Sequence, residues 1–318
     1  MKESGAGPGS GGPRVAAVVV TYNSAKDIEK CLQSLIAAGV SQILVLDNGS
    51  AVEEAQETSR VCRQLPFVRF SLASGNLGFG AGVNAAVKTL EPSLNADDYL
   101  WIVNPDTVVD PRALAILTER VSSGKYDIVS PRLTTGDSSG SETIWFDGGF
   151  LDLQSMRTEH IGIGQRTQDR VEDSSCSFLT GCAMLMRVDT WKKIGGFSEE
   201  YFLYWEDADL SWRATALGLT LGVVPTARIW HSVGGSGDRT GKSTTYYYYM
   251  QRNRVIFAKK LNLQWRLLWG QGLLESIKLT VRPLKQKSNR IEKFIFGVRG
   301  IIAGAKIGAC MPQRNDLS

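Results

Sequence analysis

Val15 to Thr21 is an unbroken apolar run rich in β-branched residues, the pattern of a strand buried on both faces of a parallel sheet. The period then changes. Ile28, Cys31, Leu32, Leu35 and Ile36 recur at helical spacing, with Ser24 and Asp27 expected to form a capping box and Gly39 to close the helix. The alternation repeats along the chain. A strand is predicted at Gln42 to Leu46, a helix over 52–64, a strand at Phe67 to Leu72, a helix opened by the glycine-rich stretch Gly75 to Asn84, and a strand at Asp98 to Val103. Asp110 is expected to cap the next helix and Pro111 to start it. Strands alternating with helices predict an α/β, doubly wound sheet, in which ligands bind outside the carboxyl ends of the strands. Those ends are Thr21-Tyr22-Asn23, Asp47-Asn48 and Asn104-Pro105-Asp106.

The second half is less regular. Residues 134–175 are rich in Gly, Ser and Asp with few periodic apolar positions, which predicts an irregular excursion or hairpin over the site. A strand is expected from Phe178 to Arg187, a helix from Glu206 to Leu217 ended by Gly218, a short strand from Leu221 to Val224, and a helix from Thr244 to about Leu261. Three carboxylates, Glu206, Asp207 and Asp209, follow directly on Tyr201-Phe202-Leu203-Tyr204-Trp205. Acids against a wall that excludes water have shifted pKa values, which suits a general base; an acidic helix N-terminus stabilised by the macrodipole is the alternative. The glycines of 75–84 let backbone N–H groups approach an anion, but their spacing is not GxGxxG, and a dinucleotide site is excluded.

With 318 residues the chain buries a core that needs no disulfide or structural metal. Its five cysteines form no CxxC pair, which points to a reducing cytoplasm. No run of about 18 apolar residues predicts a transmembrane helix. Residues 1–14, mostly Gly, Pro and Ser, are expected to be a disordered leader. Charge is unevenly distributed: Arg252 to Arg314 carry fourteen Lys or Arg against two acids, Glu275 and Glu292. That is a local balance of +12 in a chain of net charge +4, leaving about −8 for the rest. Residues 262–318 interleave this charge with Trp265, Leu268, Trp269, Phe294, Phe296 and Ile301, the composition of basic amphipathic helices that lie on anionic membranes. Packing on the body or contacts in a homo-oligomer are the alternatives, and no nucleic-acid motif is present.

Taken together, Thr-Tyr-Asn at the end of the first strand, Asp-Asn-Gly-Ser, Asn-Leu-Gly-Phe-Gly-x-Gly-x-Asn, Asn-Pro-Asp, and Glu-Asp-x-Asp-Leu-x-x-Arg with a downstream Pro and His resemble a family 2 inverting glycosyltransferase of the GT-A fold. The nearest subgroup in appearance is the bacterial rhamnosyltransferases of cell-surface polysaccharide synthesis. The resemblance covers about residues 15–260 and implies a GT-A domain at 15–261, with a nucleotide-binding half at 15–132 and an acceptor-binding half at 133–261. It implies that Thr21, Tyr22, Asn23, Asp47, Asn48, Asn76, Gly78, Gly80, Asn84, Asn104 and Asp106 bind the nucleotide sugar, with the Asp47 carboxylate accepting from a pyrimidine N–H. Asn104-Pro105-Asp106 stands where the family has an Asp-x-Asp metal motif, so Asp106 and His231 are the implied ligands of Mn²⁺ or Mg²⁺. Asp207 would be the general base beside Glu206, and Gly181, Cys182, Tyr204, Trp205, Asp209 and Arg213 would line the acceptor site, unless Asp209 and Arg213 simply pair at i, i+4. The implied reaction moves L-rhamnose from dTDP-rhamnose, or from another dTDP or UDP sugar, to a saccharide or polyprenol-linked acceptor at the inner face of the cell membrane. UDP-GlcNAc, UDP-galactose and GDP-mannose are alternative donors. With Asn104 replacing an acid, a catalytically inactive binding scaffold is the alternative of another class.

Overall fold

The computed structural model describes residues 12–136, 142–166, 171–232 and 242–307. Most of the leader and the last residues of the tail, with Cys310, lie outside them. The first half alternates as its periodicity predicts: β1 (Val15–Thr21), α1 (Ala25–Ala37), β2 (Gln42–Asp47), α2 (Val52–Gln64), β3 (Val68–Leu72), α3 (Phe79–Leu90), β4 (Tyr99–Val103), β5 (Thr107–Val109) and α4 (Ala113–Ser122). Two helix starts differ from expectation. Ser24 forms no capping box; its hydroxyl donates to the Tyr22 carbonyl, and the Ala25 N–H is met by the Glu54 carboxylate of α2 at 3.0 Å. Asp110 accepts from the Arg112 N–H at 2.9 Å, so Pro111 sits in a turn and α4 begins two residues later.

The second half supplies β6 (Ile128–Thr135), β7 (Thr143–Phe146), β8 (Gly149–Asp152), β9 (Arg157–His160), β10 (Ser174–Cys176), β11 (Ala183–Arg187), α5 (Val188–Ile194), α6 (Glu206–Ala216), β12 (Leu221–His231), α7 (Thr244–Lys260), α8 (Gly270–Val281) and α9 (Arg290–Lys306). The predicted excursion is thus built of short strands, β8 and β9 pairing as an antiparallel hairpin. The strand expected from Phe178 begins only at Ala183, because residues 178–182 form the loop that enters the site. The short strand expected at Leu221 runs on to His231 through a register shift between Val224 and Arg228.

One mixed sheet orders these strands β10-β12-β6-β11-β4-β1-β2-β3, with β5 added to β12 and β7 to β6. β4, β1, β2 and β3 run parallel, and β11 is antiparallel to both β4 and β6. Every residue of β1 and β4 is buried, as a strand covered on both faces requires. Arg132 is also fully buried, its guanidinium donating in a fork to the Asp147 carboxylate at 2.9 and 3.0 Å. At the C-terminus α9 lies along α7. A Cβ at Gly300 would come within 2.2 Å of the Tyr248 carbonyl oxygen, and one at Gly304 within 2.5 Å of that of Arg252, so glycine is what permits this approach.

Candidate active site

The carboxyl ends of β1 and β2 meet side by side, with Thr21 paired to Asp47 in register. The Thr21 hydroxyl donates to Asp47 Oδ2 at 3.3 Å, and the Ser50 N–H donates to Oδ1 at 3.0 Å. Asn23 holds the same turn, accepting at Oδ1 from the Ala51 N–H. Above this floor is a cleft of about 700 Å³ lined by Thr21, Tyr22, Asn48, Asn76, Gly78 and Phe79, with Phe202, Tyr248 and Phe296 opposite. Tyr22 is half exposed at its rim.

The glycine-rich stretch permits close packing. Gly78 has φ +85°, and a Cβ there would sit 2.1 Å from the Phe202 carbonyl oxygen, which accepts from the Phe79 N–H at 2.9 Å. Asn48 braces the turn, donating to the Gly78 carbonyl at 2.9 Å and accepting from the Leu77 N–H at 3.0 Å. Asn76 accepts the Gly78 N–H. Gly80 faces Phe197 and Glu206, and Asn84 clamps Phe197 by donating to its carbonyl and accepting its N–H at 2.8 and 3.0 Å. Gly80 and Asn84 therefore tie α3 to the loop before α6, and neither lines the clefts described here, which corrects the expectation that the whole stretch borders the ribose and diphosphate.

At the end of β4, the antiparallel pairing of β5 with β12 sets Thr107 opposite His231 and brings Asp106 Oδ1 within 3.2 Å of His231 Nε2. Burial disfavours the imidazolium, but the Cys182 sulfur and the Asp106 carboxylate favour it and prevail, pushing the His231 pKa up to about 10. Trp145 packs edge-on against the ring, centroids 4.5 Å apart. Among the described residues, Asn104 Oδ1 and His231 Nδ1 are buried without a partner. An amide oxygen, a carboxylate and, once it gives up its proton, an imidazole on adjacent strand ends are donors that fit a divalent cation, and the partnerless Asn104 oxygen is one of them.

Beside it lies the acid pair. Tyr204 and Trp205 both hold left-handed backbone, φ 68° and 74°, unusual for bulky residues and costing of order 1–3 kcal/mol each. Asn253 of α7 holds this turn, its amide donating to the Leu203 and Tyr204 carbonyls, both at 2.8 Å. The turn throws Glu206 and Asp207 into a second cleft of about 520 Å³, whose wall includes Asn104, Gly181, Cys182, Tyr204, Trp205 and His231. Asp207 accepts from the Gly181 N–H at 3.2 Å and the Ala208 N–H at 2.8 Å. Burial raises its pKa to about 6 against those two donors. Burial and the neighbouring Asp207 charge raise the Glu206 pKa well above the usual carboxylate range, and among the described residues Glu206 Oε2 is buried without a partner. Two backbone donors favour the charged form of Asp207, whereas the Asp207 charge disfavours that of Glu206, an asymmetry that suits Asp207 to act as a base. Phe79 and Leu203 border both clefts, so the two adjoin.

Asp209 and Arg213 do not join this wall. Fully buried Asp209 binds Arg213 Nε at 2.7 Å and Lys260 Nζ at 2.9 Å, and Arg213 donates to the Ile194 and Gly196 carbonyls. They lock α6 to α7 and to the loop after α5, so the i, i+4 pairing is what the structure contains in place of an acceptor contact. Trp145, His160, Arg157, Lys242 and Arg282 also line the second cleft and carry no motif in sequence. Asn253 is equally silent, since a buried asparagine in a helix announces nothing until its partners are known.

A sheet of this order, with the strand-end loops and an acid pair in two adjoining clefts, is that of a GT-A glycosyltransferase. The chain belongs to the glycosyltransferase like family 2, whose sequence profile matches residues 13–258, and it is a glycosyltransferase. It is 27% identical to an N-acetylglucosaminyl-diphospho-decaprenol L-rhamnosyltransferase of Mycobacterium tuberculosis over 88% of this chain and 97% of that one. It is 25% identical to the rhamnosyltransferase WbbL of Escherichia coli, over 67% of this chain and 81% of the other. Among solved structures it resembles GalNAc-T7 with UDP, GalNAc and Mn²⁺, with a TM-score of 0.58 and 15% identity, covering 83% of this chain and 54% of that one. That likeness supports the fold.

Proposed function

We propose that the chain moves L-rhamnose, with inversion, from dTDP-rhamnose to a saccharide carried on a polyprenyl diphosphate. The observation that carries the reading is the buried Glu206–Asp207 pair opening into a cleft that adjoins the one at the ends of β1 and β2. The rhamnosyl group and the lipid-linked acceptor draw support from the printed activities of the relatives. In this reading Thr21, Tyr22, Asp47 and Asn48 receive the nucleoside, the imide N–H of thymine or uracil donating to Asp47. Asp207 takes the proton of the acceptor hydroxyl while that oxygen bonds to the anomeric carbon, and the bond from that carbon to the diphosphate breaks on the opposite face. Asn104, Asp106 and His231 would hold Mn²⁺ or Mg²⁺, which when bound offsets the charge on the departing diphosphate.

The acceptor's lipid gives the C-terminal region a role at the inner face of the membrane. No described helix is long and apolar enough to cross a bilayer. Instead Trp265, Leu268, Trp269 and Leu274 stand more than half exposed beside the basic residues of the tail, which supports docking on anionic lipid. Incubation with dTDP-rhamnose, UDP-GlcNAc, UDP-galactose and GDP-mannose, each with Mn²⁺ and a polyprenyl-diphosphate saccharide, tests the reading. Rhamnosyl transfer from dTDP-rhamnose is expected. Transfer from another donor alone would change the sugar, and no turnover with any donor would assign the chain to a binding scaffold.

A further inference from the structure

The second cleft holds two cations that the transfer chemistry does not use. Lys242, just before α7, and Arg282, just after α8, line the wall of the same cleft as Asp207. Of the other charged residues there, Glu275 binds Arg157 at 3.6 Å and Lys278 at 3.3 Å, Arg157 also binds Glu159, and Asp207 is met by two backbone N–H groups. Among the described residues neither Lys242 nor Arg282 has a carboxylate partner; Lys242 sits over the Tyr246 ring, 5.0 Å from its centroid. Desolvation and the facing Arg282 charge both lower the Lys242 pKa, a repulsion that a bound anion would relieve.

The element that carries Arg282 has two unlike faces. Gly272 and Glu275 of α8 are buried, and Leu279 lines the cleft. Leu273, Leu274, Ile277 and Val281 on the other side, and Leu284 beyond it, are exposed. A charged mouth next to an uncovered hydrocarbon surface matches a ligand with a phosphate group followed by an apolar chain. A nucleotide has the phosphates but no such chain.

We propose that Lys242 and Arg282 form an anion site that receives the diphosphate of a lipid-linked acceptor, with the first isoprene units running over the outer face of α8. The proposal rests on the lipid-linked reading of the acceptor given above, and it adds Lys242 and Arg282 to the cleft wall that His231 also lines.

Geranyl diphosphate is the probe, with geraniol as its uncharged counterpart, both titrated calorimetrically into the full chain in the presence and absence of dTDP. The expected result is binding of geranyl diphosphate, at least tenfold weaker binding of geraniol, and no competition by dTDP. Arg282→Gln and Lys242→Gln should each weaken geranyl diphosphate about tenfold or more, the loss expected for a charge-assisted hydrogen bond, while Arg282→Lys retains most of it and dTDP affinity stays unchanged in all three. Unchanged melting temperatures establish that the variants fold, and the lysine variant keeps the test decisive if Arg282→Gln does not. Equal binding of geranyl diphosphate by wild type and both Gln variants would overturn the site. So would displacement of the probe by dTDP, or loss of dTDP affinity in the variants, which would give these cations to the donor instead. Failure of rhamnosyl transfer in the donor panel, with geranyl diphosphate still held by Lys242 and Arg282, would sink the donor assignment and leave the anion site standing.

Discussion

As the base of the proposed transfer, Asp207 would work only when ionised, and a neutral Glu206 beside it would favour that state. With the Asp207 pKa raised to about 6, transfer should climb with pH through that value and level off above it, because a base is lost as it protonates. Asp207→Asn should lower kcat by ~10²- to 10⁴-fold and leave dTDP affinity nearly intact, which a rate assay beside calorimetry reads. The same shift has a thermodynamic sign. A carboxyl group whose folded pKa lies above its unfolded value binds more protons when folded, so its contribution to stability declines as pH rises through the folded pKa. Glu206→Gln should therefore raise the melting temperature relative to wild type at pH 8 more than at pH 5; a gain that is equal at both pH values would remove Glu206 from this account. At the other end of the cleft, Asp106→Ala should lose Mn²⁺-dependent dTDP binding, and His231→Ala should weaken it less, since a carboxylate and the diphosphate oxygens remain. Full transfer in excess EDTA would defeat the metal assignment.

At the scale of elements, the acid pair depends on how α7 grips the turn before α6. Asn253 is fully buried and supplies both of the donors that reach the Leu203 and Tyr204 carbonyls. Asn253→Ala would leave those two carbonyls without these donors while the backbone of Tyr204 and Trp205 stays in its left-handed conformation. A loss of about 2–4 kcal/mol in unfolding free energy is expected, from ~1–2 kcal/mol for each unmet acceptor, together with a fall in kcat as Asp207 drifts. Chemical denaturation and steady-state kinetics on one preparation distinguish this from a purely structural residue, which would shift stability and leave kcat alone. Gly78→Ala belongs to the same scale: the added methyl would have to displace the Phe202 carbonyl, so both clefts should lose their shared border.

For the whole molecule, the C-terminal helices join a packed interior side to an exposed apolar side. Since α9 covers Tyr247 and Val255 of α7, deleting the chain beyond Leu261 would strip the body as well as the surface. Point changes are cleaner. If four to six of the basic residues reach anionic headgroups, attraction amounts to about 4–6 kcal/mol before any ring inserts. Wild-type protein should co-sediment with phosphatidylglycerol or cardiolipin vesicles, less as salt shortens the Debye length below ~10 Å. Trp265→Glu combined with Trp269→Glu should abolish sedimentation while sparing turnover of a soluble acceptor. Equal sedimentation of both proteins would return these tryptophans to contacts between copies of the chain.

The β-strands and helices of the first half were legible because each is specified by residues close in sequence: a buried run such as Val15 to Thr21, or the helical repeat from Ile28 to Ile36, needs no distant partner to be recognised. The strand-end loops were legible for the same reason, since each motif is contiguous. Ser24 shows the limit of local rules, because its hydroxyl turns back to the Tyr22 carbonyl and the first helical N–H is met by Glu54 of another helix, whereas Asp110 does accept the Arg112 N–H. The tertiary structure alone decided which of the marked residues share a cavity. Gly80, Asn84, Asp209 and Arg213 carry the family pattern yet serve packing and ion pairs, whereas His160, Lys242, Arg282 and Asn253 carry no pattern and meet the site. The physical reason is that pKa, hydrogen-bond satisfaction and charge compensation depend on distances across the fold, and those distances are set by sheet order and helix packing rather than by spacing along the chain.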